Sequence, residues 1–228
     1  MALRGLLNLS KNNINANSDC PLTDNKEIKT ERLSNYETYD DLNSDLELIL
    51  SPGINESEYD FTNCVCPRYV DDVYSLGINL HYYVSRIYLK LSNLFQGTRK
   101  SQFKNLAIIE IKGKKQIQKL AKYNYDQLLT YFYANGGPII ESPVSEKKRN
   151  ELSPAFDQII TSLATRLKIA VDKATNSQMT AKELEKFINK NIIASYAQIS
   201  RLYDNEEIQK AFTELITIRK DNADKSIA

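Results

Sequence analysis

From Tyr69 to Phe95 the apolar positions keep step with a helix. Val73, Gly77, Leu80, Val84, Ile87, Leu91 and Leu94 follow one another at alternating intervals of four and three. That is the heptad seam by which one helix packs along another. Beside it, Tyr74, His81, Tyr88 and Phe95 recur every seven residues. The two rows together make an apolar face wider than one antiparallel neighbour needs. The pattern therefore predicts a central helix that contacts two or more others and is closed by Gly97.

The next stretch, Thr98 to Tyr133, is less clean. LAIIEI (106–111) is a β-branched run that reads as a strand ahead of a Lys112-Gly113-Lys114 turn. Phe103, Leu106, Ile109, Ile117, Leu120, Leu128 and Phe132 read instead as helix, broken near Gly113. Helix is favoured because no partner strand is evident elsewhere.

Downstream, Ser153-Pro154 suits an N-cap followed by a first-turn proline. Phe156, Ile159, Ile160, Leu163, Leu167, Ala170 and Val171 then follow at helical spacing. Thr180-Ala-Lys-Glu183 has the form of a capping box and leads into Leu184, Phe187, Ile188, Ile192, Ile199 and Leu202. Asp204 to Glu207 opens a last helix with Ile208, Phe212, Leu215 and Ile216.

Upstream, residues 10–33 are polar and hold too few apolar positions to offset chain entropy, so an extended arm is expected. Ser34-Asn-Tyr-Glu37 reads as another capping box, opening a short helix that runs to about Leu50 and stops at Ser51-Pro52-Gly53. All six prolines lie outside the periodic stretches as read here. The expected architecture is all-α, a bundle of about six helices behind an extended acidic arm. Its divisions are residues 1–60 for the arm with short helices and 61–228 for the helical domain. The domain divides into a basic helical half at 68–135, a linker at 136–153 and a C-terminal helical half at 154–222.

Charge sharpens those divisions. The formal net charge is only +1, but residues 1–60 hold 12 acids and 5 bases, and residues 61–150 hold 6 acids and 14 bases. Opposed blocks attract, within the chain or between neighbouring copies. Composition adds a bias. Asn, Lys, Ile, Tyr and Phe supply 86 of 228 residues, as expected of AT-rich codons. No apolar run approaches the roughly 20 residues that span a bilayer, so no membrane span is expected. Three cysteines, too few and too irregular for a disulfide framework, point to a reducing compartment.

Candidate chemistry is sparse. Cys64 and Cys66 stand one residue apart, whereas zinc sites space their thiolates two to four apart. His81 lies inside the heptad helix, where packing is its expected role. Asp71 and Asp72 fall in that helix's first turn, where the dipole favours acids without any active site. There is no phosphate-cradling loop, dinucleotide fingerprint, zincin motif or nucleophile elbow. The expectation is a non-enzymatic protein with no catalytic residues, metal or cofactor.

Two sets of residues stand out as binding candidates. The first is a basic run: Arg99, Lys100, Lys104, Lys112, Lys114, Lys115, Lys119 and Lys122, opposed only by Glu110. It suits nucleic-acid phosphates or an acidic partner. The second is aromatic: Tyr74, His81, Tyr82, Tyr88, Phe95, Tyr131 and Tyr133, residues suited to half-buried interfaces. The leading expectation is a structural subunit of a large multi-protein assembly, of the phage connector or ring type, in a virion or host cytoplasm. Its partners would be other protein subunits, including copies of itself. The alternatives are a protein that contacts nucleic acid non-specifically through residues 99–122, and an accessory subunit of a complex inside an organelle.

Overall fold

The computed structural model describes residues 61–135 and 144–225, all within one compact unit that spans Asn55–Ala228. A 3₁₀ turn at Phe61–Asn63 precedes five α-helices: α1 (Val70–Leu94), α2 (Gly97–Asn135), α3 (Glu146–Thr175), α4 (Ala181–Ser200) and α5 (Glu206–Lys225). The described residues are all-helical and contain no strand. The arm at 10–33 and the helix expected from Ser34 to Leu50 lie outside them.

α1 is the central helix its pattern predicts. Of its seam, Val73, Gly77, Leu80, Val84 and Leu91 are buried, while Leu94 at the end is 61% exposed. Only near its C-terminus does α1 show exposed positions, as a helix walled in on several sides must. Its largest interface is with α2, and it also meets α5 and α3. Gly77 sits where three helices converge. A Cβ there would lie 2.7 Å from Leu215 Cδ2 of α5 and 3.0 Å from Ile117 Cδ1 of α2. The missing side chain is what lets both neighbours approach.

The start of α1 is held by a side chain from within. Asp72 Oδ2 accepts from the backbone N–H groups of Arg68 (2.9 Å) and Tyr69 (3.1 Å), two donors that the helix itself leaves unpaired. Asp71 Oδ1 accepts from Asn124 Nδ2 of α2 at 3.0 Å. The end of α1 lies at Leu94, and Gly97 takes φ +60 in the turn to α2. So tight a link makes the two helices an antiparallel hairpin.

Two local expectations need correcting. Gly113 does not break α2, which runs unbroken from Gly97 to Asn135; LAIIEI is helix within it. The helix tolerates this glycine because the space it leaves is filled by another helix, as described below. Likewise α3 begins at Glu146, not at Pro154. Its N-cap is Ser145, whose hydroxyl accepts from the Lys148 N–H at 3.3 Å. Pro154 lies inside the helix, where it has no N–H to donate to the carbonyl four residues back. That carbonyl belongs to Asn150, which is exposed and can be hydrated, so the proline is tolerated.

The second half is closed as expected at α4. Thr180 Oγ1 accepts from the Glu183 N–H (3.2 Å) and Glu183 Oε2 accepts from the Thr180 N–H (2.8 Å), the capping box read from the sequence. Asn205 caps α5, its Oδ1 accepting from the Ile208 N–H at 3.0 Å. α4 packs against both α3 and α5 through Leu184, Ile188, Ile192, Tyr196 and Ile199.

Candidate functional site

The chemistry of the domain concentrates on α2, whose two faces are both charged. On the inner face is Glu110, 4% exposed. Its Oε2 lies 2.6 Å from His81 Nδ1 of α1, and its Oε1 accepts from Arg219 Nη1 of α5 at 2.5 Å. The same Nη1 donates to Asn189 Oδ1 of α4 at 3.1 Å. One carboxylate thus ties three helices together, and Arg219 brings in the fourth, α4. Gly113, one turn along α2, makes room for the cluster. A Cβ there would collide with the His81 ring and lie 2.7 Å from Asn222 Nδ2.

The protonation states follow from the geometry. Burial alone would raise the Glu110 carboxyl. The Arg219 guanidinium, with His81 beside it, outweighs burial and holds Glu110 below the ordinary glutamate value. Burial lowers His81, Arg219 lowers it further, and Glu110 only partly opposes them. His81 is therefore neutral near pH 7. Its Nδ1–H donates to the carboxylate, which leaves Nε2 as the bare nitrogen. Nε2 of His81 and Nε and Nη2 of Arg219 are buried with no hydrogen-bond partner among the described residues. The cluster is a charged core junction, closed to solvent, with His81 and Arg219 each 1% exposed.

The outer face is the opposite kind of place. At 100° per residue, Lys100, Lys104, Lys112, Lys115, Lys119 and Lys122 share a sector of about 120°. All but half-buried Lys115 are exposed. Glu110, the only acid between Arg99 and Lys122, is turned inward. The basic run therefore presents one sign of charge to solvent over about 33 Å. Lys115 and Lys119 also have partners within the chain, and Arg99 and Lys114 reach back onto the fold. Arg99 closes the far end of α3: its Nη2 donates to the carbonyls of Ala174 (3.0 Å) and Met179 (2.9 Å), and its Nη1 to Ser177 Oγ (3.1 Å). Its guanidinium also stacks 3.9 Å above the Phe95 ring. Lys114 lies over the Tyr82 ring at 5.3 Å.

The aromatic candidates are mostly interior. Tyr74, His81, Tyr82 and Tyr88 are buried within the chain itself, because α1 is covered by α2, α5 and α3. Tyr74 donates to Glu214 Oε2 at 2.6 Å. Tyr88 packs near Phe103. Phe95 is half-buried and stacks on Phe103 and Arg99. Tyr131 and Tyr133 lie on the last turns of α2.

The cysteine pair is likewise part of the packing. Tyr203 gives its one hydroxyl proton to the Pro67 carbonyl (3.0 Å), so the Cys66 thiol, 3.1 Å from that oxygen, is the donor between them. Burial pushes the Cys66 thiol up, away from the reactive thiolate. Cys64 Sγ accepts from Asn79 Nδ2 at 3.4 Å. Among the described residues, no three His, Cys, Asp or Glu side chains converge as a metal site would require, and no helix is long and apolar enough to cross a membrane.

No protein-family model matches the chain, and no curated protein or solved structure resembles it closely enough to count as a match. The residues themselves carry what can be said of its role. Sequence reading passed over Glu110, Arg219 and Asn189 as a group. A signal was there: Glu110 falls on the Phe103–Leu106–Ile117 face, and Arg219 continues the Ile208–Phe212–Leu215 row. A charge on each of two apolar rows, opposite in sign, is the pattern of a buried pair.

Proposed function

We propose that the chain is a non-enzymatic structural and interaction protein, a subunit of a larger multi-protein assembly of the virion connector or ring kind. The observation that carries this reading is the length of α2. It has 39 residues against 25 in its hairpin partner α1, about 58 Å against about 37 Å. The bond between Asn124 and Asp71 places the first turn of α1 beside Asn124, and α2 continues to Asn135. That extension reads YDQLLTYFYAN and includes Tyr131 and Tyr133. A helix end of such composition is stabilised by lying against an apolar neighbour. The neighbour in this reading is a second copy of the chain. The virion setting rests on the codon-biased composition and the helical architecture, by analogy.

Sedimentation of the full-length chain over a wide concentration range tests the reading. The expected result is a defined oligomer, with backbone amides of 125–135 exchanging more slowly as it forms. Replacing Tyr131 and Tyr133 by Ser should weaken the association. A monomer at every concentration would overturn the proposal.

A further inference from the structure

We infer that the outer face of α2 is a docking surface for single-stranded nucleic acid, held through its phosphates and not read by base. This goes beyond the assembly reading and does not depend on it. Four features of the face agree. The first is sign. Six lysines share one sector of the helix, and the only acid in that stretch, Glu110, is inside and bonded to Arg219. A polyanion approaching this face meets attraction from Lys100 to Lys122, and exposed Asp126, one turn beyond, ends the row.

The second feature is the kind of cation. Protein interfaces are depleted in lysine and built around aromatic, Met and Arg anchors. This row is all lysine. Its one arginine neighbour, Arg99, is occupied at the end of α3, and the middle of the row offers only half-buried Ile108 as an apolar contact. Phosphates, by contrast, are well served by compact point charges on flexible stems.

The third feature is shape. A straight row of about 33 Å follows an extended strand, whereas the backbone of a duplex winds away from it. The fourth is a stacking platform. Tyr123 is 64% exposed and sits directly after Lys122, one turn past Lys119, at the end of the row. An exposed ring beside phosphate-binding lysines is the arrangement on which unpaired bases stack irrespective of identity.

The test is a titration of a fluorescent 20-nucleotide homopolymer, poly-dT and poly-U in turn, with the full-length chain at several salt concentrations. Engagement of the exposed lysines Lys100, Lys104, Lys112 and Lys122 predicts a slope of log K on log salt of about −3. Changing Lys104, Lys112 and Lys122 to Gln should reduce that slope to about −1, while changing the same three to Arg should keep it near the starting value. Tyr123→Ser should weaken binding about fivefold or more at fixed salt and leave the slope unaltered. Four results would overturn the inference. They are no binding at 20 mM salt, a slope unaffected by the Gln substitutions, tighter binding of a duplex of equal length, or displacement of the strand by polyglutamate at equal charge concentration. The last would assign the face to an acidic protein. A protein that stays monomeric yet binds the strand would refute the assembly reading alone.

Discussion

Glu110 and Lys112 stand two residues apart on α2 and face opposite ways. Glu110 is buried, and every charge-compensating contact it makes comes from another helix: Arg219 from α5 and His81 from α1. Lys112 is exposed. A charge in the interior is tolerated only if partners meet it there, so Glu110 constrains where α1 and α5 can lie. A charge at the surface asks nothing of the fold and contributes little to it. The inner face of α2 is thus written by the fold, while the outer face is free to be written by a partner. That difference predicts opposite consequences for removing charge from the two faces.

The largest effect should come from the inner face. Glu110→Gln keeps the shape but leaves Arg219 as a buried cation without its counter-charge. Breaking one side of such a pair costs about 3–5 kcal/mol, which would be read as a loss of unfolding free energy in urea. The sharper form is a double variant. Glu110→Met with Arg219→Met removes both charges together, and much of the loss should be recovered. If the double variant falls as far as the single one, the junction stabilises the fold by something other than charge pairing.

Gly113 tests the same junction by volume. Alanine is the better helix former by about 1 kcal/mol, and on a solvent-facing turn Gly113→Ala would stabilise α2. Here the new methyl meets the His81 ring and the Asn222 amide. Overpacking of that kind costs about 1–3 kcal/mol, so the net change should be destabilising. Melting of the variant at or above the parent temperature would show that the ring can move aside.

How much of this was legible beforehand differs between the faces. Helical spacing exposed the all-α class, the seam of α1 from Val73 to Leu91, the cap at Thr180 and the opening of α5 near Asp204, because these depend on neighbours within a few residues. Gly113 was misread as a break. Its reason for being glycine is His81, 32 positions away in sequence and adjacent in space, and no local pattern reveals that. Pro154 was misread as a first-turn residue, because Ser145 offers an equally good cap farther upstream. The basic run was legible as a run. Its sorting into a lysine row, an Arg99 clamp on α3 and an inward Glu110 needed the helix to be continuous through Gly113.

Acid should reveal the inner face more gently. His81 is buried neutral, and burial, with Arg219 adding to it, holds its folded value below the ordinary 6.5. Below pH 6.5 the unfolded chain takes up a proton that the folded chain refuses. Stability therefore falls as pH drops from about 6.5 towards the folded value, by up to about 1.4 kcal/mol per pH unit. Glu110 is held below its ordinary 4.5, so its contribution is present above pH 4.5 and is lost as pH falls through its folded value. Urea midpoints measured against pH should show both phases. In His81→Gln the first should vanish and the second remain. A parent chain whose midpoint is flat between pH 6.5 and 5 would mean that His81 is not buried neutral.

The smallest effect should come from the outer face, and its smallness is the informative part. Lys100, Lys104, Lys112 and Lys122 are exposed. Changing any of them to Gln should alter stability by less than about 0.5 kcal/mol. Combining all four should change little more, since relieving like-charge crowding along one helix face offsets whatever weak surface pairing is lost. A quadruple variant that keeps its melting temperature while losing affinity for an anionic strand would separate the two faces by experiment, with one serving folding and the other serving contact. A quadruple variant that melts several degrees lower would mean that the outer lysines also hold the domain together, and the division of labour along α2 would fail.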